Sequence, residues 1–268
     1  MKNLKKLPLI LSILSLASFI TPVNADVKVV ASIKPLHSLA SYLMDGVGKP
    51  DLIVEGYGSP HGFSMKPSHA KILQNADLIF WVGEDLEIFL EKPLSSIAKK
   101  AEKIELMEIK GLNVLKFRER NIFDKHDHDD HDDHGKKEDD HDDHEHDDHG
   151  KKEEHADHDD HDGHEGHAHG EYDPHIWLDP MNAKVILNKM VEHLIENDAK
   201  NASKYKSNLK NAFKDIDKLT ADVKADLSKS TASIVFHDAY QYFEERFDIN
   251  ILGAFTVNTD VMPGAEQL

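Results

Sequence analysis

The sequence predicts an α/β protein in which short parallel strands alternate with helices. Before residue 126, β-branched apolar runs alternate with stretches whose apolar residues recur at helical spacing. That alternation is typical of a parallel sheet with helices on its faces. After residue 178, two long helical patterns precede one more strand. Between these two regions lies an acidic, histidine-rich tract with almost no apolar residues, which divides the chain.

The first half of the chain supplies the strand-helix alternation. Four strands are predicted in it, at residues 27–33, 52–54, 78–82 and 103–107. Three helices are expected between them, at residues 38–44, 68–73 and 86–100. Because a helix separates successive strands, these strands are expected to run parallel.

Two longer helices are predicted after the tract. Asp179 and Pro180 form an N-cap and a first-turn proline, so a helix is expected from there to about residue 196. From residue 202 to 227, apolar residues recur at three- or four-residue steps without glycine or proline. Such a helix is about 40 Å long, enough to run from one domain into another. A strand at residues 234–236 follows, and residues 238–241 resemble a capping box that opens the next helix.

The acidic tract, residues 126–169, indicates metal binding. It carries twenty carboxylates against four lysines, which accounts for −16 of the formal net charge of −18, so the acidic balance is no evidence for a cationic partner. It cannot bury enough apolar surface to fold alone. Imidazole and carboxylate without thiol favour a borderline divalent ion, foremost Zn²⁺. Fourteen of the chain's 20 histidines are therefore expected to form a weak accessory site: His126, His128, His131, His134, His141, His144, His146, His149, His155, His158, His161, His164, His167 and His169.

Residues 1–25 have the pattern of a secretory signal peptide. Three lysines precede an apolar run at residues 7–20, and Val23-Asn24-Ala25 supplies a small-residue cleavage site. The run is short for a bilayer span, and an uncleaved anchor is the alternative. The chain has no cysteine, which excludes cysteine-based zinc sites and a lipid-modified cysteine tether. A soluble periplasmic protein is the expectation.

Six histidines lie outside the tract, and three of them fall where an open α/β sheet places its ligands. His61 lies in a loop just after a predicted strand, and His237 ends another strand. His175 lies between two prolines, immediately before a helix. Together the three predict one convergent metal site. The others are expected at ordinary helix positions, with His193 on a helix surface and His69 as a candidate support for the site: His37, His69 and His193.

No enzyme motif stands out in the folded segments. The sequence has no His-Glu-x-x-His pair, no Gly-x-Ser-x-Gly elbow and no phosphate-binding glycine loop. Three histidines with a water would suit a zinc hydrolase, but the sequence offers no distinctive general base beside them. No enzymatic activity, nucleic-acid partner or small organic substrate is expected.

Five motifs carry a resemblance to a known family, and they occur in order along the chain. They are Ser32-Ile33-Lys34-Pro35-Leu36, Gly58-Ser59-Pro60-His61 with Lys66-Pro67-Ser68, Ala76-Asp77-Leu78-Ile79-Phe80-Trp81-Val82-Gly83, Asp173-Pro174-His175-Ile176-Trp177-Leu178-Asp179-Pro180, and His237-Asp238-Ala239-Tyr240. With them the chain resembles the zinc-binding receptors of bacterial ABC importers, the ZnuA type of the cluster A-I metal solute-binding proteins. The resemblance covers residues 27–268 apart from the tract.

The resemblance implies two lobes of parallel sheet with flanking helices, joined by a long rigid helix. Residues 26–199 would form the N-terminal metal-binding lobe, including the loop 126–169, and residues 200–228 the linking helix. Residues 229–268 would form a partial C-terminal lobe, since relatives continue where this chain stops, and the second lobe is expected to be truncated. His61 and His175 would meet His237 at the cleft between the lobes.

The function implied is high-affinity periplasmic capture of Zn²⁺ by a monomer, with delivery to an ABC permease in the inner membrane. Three neutral imidazoles need one further ligand. Some relatives have a glutamate where this chain has Pro60, and others use a carboxylate beyond Leu268, so water or a tract histidine is the remaining candidate. The alternatives are a Mn²⁺ or Fe²⁺ receptor of the same family, or a periplasmic metal buffer without a transporter partner.

Overall fold

Four parallel strands form the sheet of the first lobe in the computed structural model, which describes residues 26–118, 170–227 and 232–256. In chain order the strands are β1 (Val29–Ala31), β2 (Asp51–Leu52), β3 (Leu78–Trp81) and β4 (Glu102–Glu105). They lie in the order β2-β1-β3-β4. Every residue of the two central strands, β1 and β3, is buried, as expected for strands covered on both faces. The predicted signal peptide and the histidine-rich tract lie outside the described residues.

Helices cover both faces of this sheet. They are α1 (Lys34–Leu43), α2 (Pro67–Asn75), α3 (Glu84–Ser96) and α4 (Pro180–Asn197). Three of them have a proline at the first or second position, where the missing N–H costs no hydrogen bond. Asp179 caps α4 by accepting a 2.8 Å hydrogen bond from the backbone N–H of Met181, as the sequence predicts.

The side chains of β3 show how the core divides. Leu78 and Phe80 belong to the apolar cluster under α1 and α4, and Ile79 and Trp81 belong to the cluster under α2 and α3. This alternation follows from the two-residue period of a strand. The sheet therefore has an apolar core on each face, and its two central strands, β1 and β3, are apolar throughout.

The predicted alternation of strands and helices is confirmed, but the strands are shorter than predicted. β1 has three residues instead of seven, because the chain leaves the sheet at Ser32 and turns into α1 at Lys34. The helix expected from residue 38 therefore begins four residues earlier. The apolar pattern reports burial, whereas the strand ends depend on hydrogen bonds between distant segments.

The long helix α5 (Ala202–Leu227) has the bounds predicted from the spacing of its apolar residues. It packs on α1 and α4 of the first lobe. The buried Tyr205 hydroxyl donates a 2.8 Å hydrogen bond to Asp198, and Asn208 Nδ2 donates to the backbone oxygens of Leu43 and Asp45 at 2.7 and 2.9 Å. These buried polar contacts fix the first half of α5 against the first lobe.

The described part of the second lobe contains β5 (Ser233–His237), α6 (Gln241–Phe247) and β6 (Ile251–Thr256). Its two strands pair in parallel. The predicted capping box is wrong, because α6 begins at Gln241 and its N-cap residue, Tyr240, makes no side-chain capping bond. Asp238 instead accepts a 3.3 Å hydrogen bond from Arg118 of the first lobe.

None of the helices described has both the length and the apolar composition needed to cross a membrane.

Candidate metal site

Three histidines from separate parts of the chain meet at one point of the structure. His61 lies in the loop between β2 and α2, His175 immediately precedes a 3-10 helix (Ile176–Leu178), and His237 is the last residue of β5. Their ring centroids are 5.5 Å apart for His61 and His175, 5.7 Å for His61 and His237, and 5.3 Å for His175 and His237. One nitrogen from each ring lies within 4.8 Å of the other two. The near-equilateral triangle matches what three ligands around one ion require.

The closest pair of ring nitrogens has the spacing of two ligands of a tetrahedral zinc ion. The Nε2 atoms of His175 and His237 are 3.5 Å apart. Two nitrogens bound to Zn²⁺ at 2.0–2.1 Å in tetrahedral geometry are separated by about 3.3 Å. Small movements of the rings would therefore suffice for both to bind one ion.

Asp173 orients the His175 ring. Its buried carboxylate lies 2.6 Å from His175 Nδ1 and accepts a 2.9 Å hydrogen bond from the His175 backbone N–H. A carboxylate on Nδ1 keeps the proton there and leaves the Nε2 lone pair for a metal ion. The other carboxylate oxygen accepts a 2.9 Å hydrogen bond from Gln241 of α6. Because α6 belongs to the second lobe, both lobes fix this carboxylate.

Burial keeps His237 in the neutral form. The pKa of the ring falls from 6.5 to about 4, chiefly because of burial and then because of the nearby His175, while Asp173 partly opposes both effects. Metal ligation requires an unprotonated imidazole nitrogen. His237 therefore meets that requirement at neutral pH.

Asp238, next to His237, is a second buried carboxyl at the site that the sequence did not single out as a site residue. Burial raises its pKa to about 6, although the Arg118 guanidinium lowers it. Its Oδ2 has no hydrogen-bond partner among the described residues. Asp238 does not belong to the group whose ligand atoms converge with the three imidazoles. In the sequence, Asp238 fits the pattern of a helix cap, and this pattern does not distinguish a capping residue from a site residue.

Two arginines tie α6 to the first lobe around the histidines. Arg246 donates from Nε and Nη2 to the two carboxylate oxygens of Asp179, at 2.7 and 2.6 Å. Arg118 bonds to Glu244 of α6 as well as to Asp238. Paired contacts of this kind fix orientation as well as distance. They hold the segment around His175 and the helix after His237 in one arrangement.

The remaining predicted residues take other positions. His69 is buried in α2, where Nδ1 accepts a 3.1 Å hydrogen bond from the Lys66 backbone N–H. His37 Nε2 lies 3.0 Å from the Pro50 carbonyl oxygen. His193 was expected on a helix surface, but this is wrong, because its side chain is only 12% exposed and lies between two glutamates. Among the described residues, no carboxylate joins the three-histidine group, and the tract histidines lie outside them.

Comparison with known sequences gives one consistent family. The family model described as "Zinc-uptake complex component A periplasmic" matches residues 29–268. The chain is 47% identical over 242 residues to a protein named high-affinity zinc uptake system protein ZnuA from Brucella abortus, covering 90% of this chain and 70% of the relative. It is 39% identical to the protein of the same name from Haemophilus influenzae, over all of this chain and 79% of the relative.

Comparison with solved structures supports the fold. A structure titled "Crystal structure of ZnuA" superposes with a TM-score of 0.65 at 17% identity, covering 91% of this chain and 75% of that one. A manganese-bound periplasmic metal-binding protein from Candidatus Liberibacter asiaticus superposes with a TM-score of 0.62, also at 17% identity, covering 90% and 73%. Because the family model spans nearly the whole chain and the named relatives are up to 47% identical to it over the aligned residues, the chain belongs to the ZnuA family of periplasmic zinc-uptake components.

Proposed function

We propose that this protein captures Zn²⁺ in the periplasm with high affinity and delivers it to an ABC permease of the inner membrane, acting as a monomeric receptor and not as an enzyme. The observation that carries the proposal is the convergence of three imidazoles from two lobes. Family membership supports it, since the relatives are named as zinc uptake proteins.

The tight site consists of His61, His175 and His237 in this proposal. Zinc accepts three neutral imidazoles and one further ligand in a tetrahedral arrangement. Water or a tract histidine supplies the fourth position, because no carboxylate in the described part of the chain belongs to the group. Imidazole donors favour Zn²⁺ over Mn²⁺, which prefers oxygen ligands. The donor set thus argues against the manganese receptor as an alternative.

The distribution of the ligands between the lobes offers a route to release. His61 and His175 belong to residues 26–199, which we assign to the first lobe, and His237 to residues 229–268 of the second lobe. Residues 200–228 form the linking helix. A small displacement of the second lobe would withdraw one of three protein ligands without unfolding either lobe. Docking on the permease would supply the energy for that displacement.

The proposal gives roles to two further segments: export to residues 1–25 and zinc capture to residues 126–169. The first segment directs secretion and is removed. The tract collects zinc weakly at many positions, since a chain segment of this composition loses conformational entropy when it binds and gains little per contact. Removing residues 126–169 is expected to lower the zinc stoichiometry severalfold and to leave the tightest affinity nearly unchanged. Isothermal titration of both forms measures this, and equal stoichiometries would contradict the role.

The uptake function is tested in a strain that lacks the gene. Growth in chelated medium should fail, and added Zn²⁺ but not Mn²⁺ should restore it. A plasmid encoding the protein should restore growth without added zinc, whereas the same plasmid with His175→Ala should not. His37→Ala is the matched control, because His37 contacts Pro50 away from the site.

The alternative of a metal buffer predicts a different result. A buffer protects against excess metal, so its loss would sensitise cells to high zinc and leave growth in chelated medium unchanged. Rescue by manganese in place of zinc would instead identify a manganese receptor.

A further inference from the structure

A second group of metal-type ligands lies at the far end of α4 from the three histidines. His193 Nδ1 is 2.7 Å from Glu102 Oε1 and 3.4 Å from Glu196 Oε2. The three ligand atoms lie within 4.8 Å of one another. Glu102 opens β4 at the amino end of the sheet, whereas the three histidines lie at its carboxyl edge. His193 is 13 residues beyond the first residue of α4, or about 20 Å along the helix.

The His193 ring is buried without the partners that a buried imidazole needs. Its side chain is 12% exposed, and both ring nitrogens are shielded from solvent. Within the described residues, neither nitrogen makes a hydrogen bond of acceptable geometry, although the Glu102 carboxylate is near. Leaving buried polar atoms without a directed partner is unfavourable. A cation bound to the Nδ1 lone pair and to the two carboxylates would satisfy Nδ1, the nitrogen that faces both glutamates.

A neighbouring amide holds Glu102 in place. Asn197 Nδ2 donates to Glu102 Oε2 at 2.8 Å and to the His193 backbone oxygen at 2.9 Å. The amide therefore occupies one carboxylate oxygen and leaves the other facing His193. Outer hydrogen bonds of this kind orient the ligands of metal sites in proteins.

An ion from solvent can reach the cluster, and the two glutamates give the cluster negative charge. His193 lines a cleft of about 690 Å³ between β4 and α4, which opens to solvent. Glu196 and Glu102 have side chains that are 67% and 38% exposed, so they can move to meet an ion. The two carboxylates carry the negative charge that compensates a divalent cation, and the neutral imidazole adds a nitrogen lone pair.

We propose that Glu102, His193 and Glu196 form an accessory site for a divalent cation, with Zn²⁺ as the best match. Histidine and glutamate are ordinary zinc ligands, and two carboxylates also admit Mn²⁺ or Fe²⁺. Water completes the coordination, since the protein supplies only three ligands. The site is too far from the three histidines to share their ion. It does not depend on the proposed zinc-uptake function.

Amide NMR of the isotope-labelled full chain during titration with Zn²⁺ tests the site. Amide signals of residues 102–103 and 193–197 should shift as the site fills, separately from those of residues 173–177 beside His175. Glu102→Gln keeps the size of the side chain and its acceptor for Asn197, and it should weaken the apparent zinc affinity at this site about tenfold or more. His193→Ala should abolish the shifts.

Glu192→Ala is the matched control. Glu192 is next to His193 on α4, but its carboxylate pairs with Lys189 at 3.3 Å and is not in the cluster. This variant should change the affinity less than about twofold. The inference is overturned if residues 102–103 and 193–197 do not shift at millimolar zinc, or if Glu102→Gln binds like the parent. Either result would mean that the cluster is a simple ion pair that joins α4 to β4. Shifts at residues 173–177 would still report zinc binding at the three-histidine site.

Discussion

His175 is the residue on which most of the site's contacts converge. Its Nδ1 faces Asp173, its Nε2 faces His237, and its ring stacks at an angle against Trp177, with centroids 5.4 Å apart. A ring held on three sides loses little freedom when it binds an ion. The position of one imidazole thus reflects contacts from both lobes.

Replacing Asp173 by asparagine tests whether this orientation matters. The amide keeps the shape of the side chain but removes the charge that fixes the proton on Nδ1. We expect zinc affinity to fall about 10- to 100-fold, the usual cost of losing such a partner. Competition with a chelator measures it, and Asp51→Asn, at an exposed position in β2, is the control. Affinity within twofold of the parent would mean that the Asp173 contact does not tune the ligand.

The sequence predicted that His61, His175 and His237 would lie together, as they do in the structure, for a simple reason. Carboxyl ends of parallel strands meet at one edge, so loops that follow strands place their side chains together whatever their separation in the chain. The polar contacts around the site and along α4 could not be predicted from the sequence. Arg246 and Asp179 are 67 residues apart, and His193 is buried because Glu102 of β4 lies beside it. No local pattern encodes either contact.

At the scale of elements, a buried amide joins α5 to the end of α1 in the first lobe. Asn208 is buried and caps the end of α1 with two hydrogen bonds to backbone oxygens. One buried amide therefore adds two hydrogen bonds to the apolar packing between these helices.

We expect Asn208→Ala to lower the free energy of unfolding by about 1–3 kcal/mol, because the backbone carbonyl groups of Leu43 and Asp45 lose a buried donor. Urea denaturation followed by circular dichroism measures the change. Asn211→Ala is the control on the same helix, since Asn211 is exposed and its loss should cost less than about 0.5 kcal/mol. Equal effects of the two substitutions would show that the α1 contact contributes nothing.

The start of α3 contains a carboxyl group that makes stability depend on pH. Glu87 is fully buried, and its Oε2 accepts hydrogen bonds from the backbone N–H groups of Val82 and Gly83 at 2.7 and 3.4 Å. Burial raises its pKa from 4.5 to about 7, against these hydrogen bonds, which lower it. Between pH 4.5 and 7 the folded protein holds this proton and the unfolded chain has lost it, so folding weakens as the pH rises.

Glu87→Gln should remove this contribution, because the amide does not titrate. From pH 5 to pH 7 the parent should lose about 2 kcal/mol of stability relative to the variant. Urea denaturation of both proteins at the two pH values measures the difference. Parallel pH profiles would show that Glu87 is ionised in the folded protein throughout this range.

On the scale of the whole molecule, polar contacts between the lobes surround the three histidines. Gln241, Arg246 and Tyr242 of α6 all bond to residues 173–179, and the Tyr242 hydroxyl donates to the Asp173 carbonyl at 2.6 Å. The ligands are thus positioned by the same contacts that join the lobes. Periodicity predicted the lobe-spanning helix, because its apolar stripe is local, but it could not predict these contacts between distant segments.

The central proposal for this protein is that His61, His175 and His237 bind a single zinc ion tightly. Its most direct test is competitive zinc titration of the full chain and of three variants in which one of these histidines is replaced by alanine. Each variant should lose more than about 100-fold of the tightest affinity, since a site with few strong bonds loses one of them. His37→Ala should bind like the parent. If His175→Ala kept the parental affinity, the three-histidine site would not be the site of tight binding.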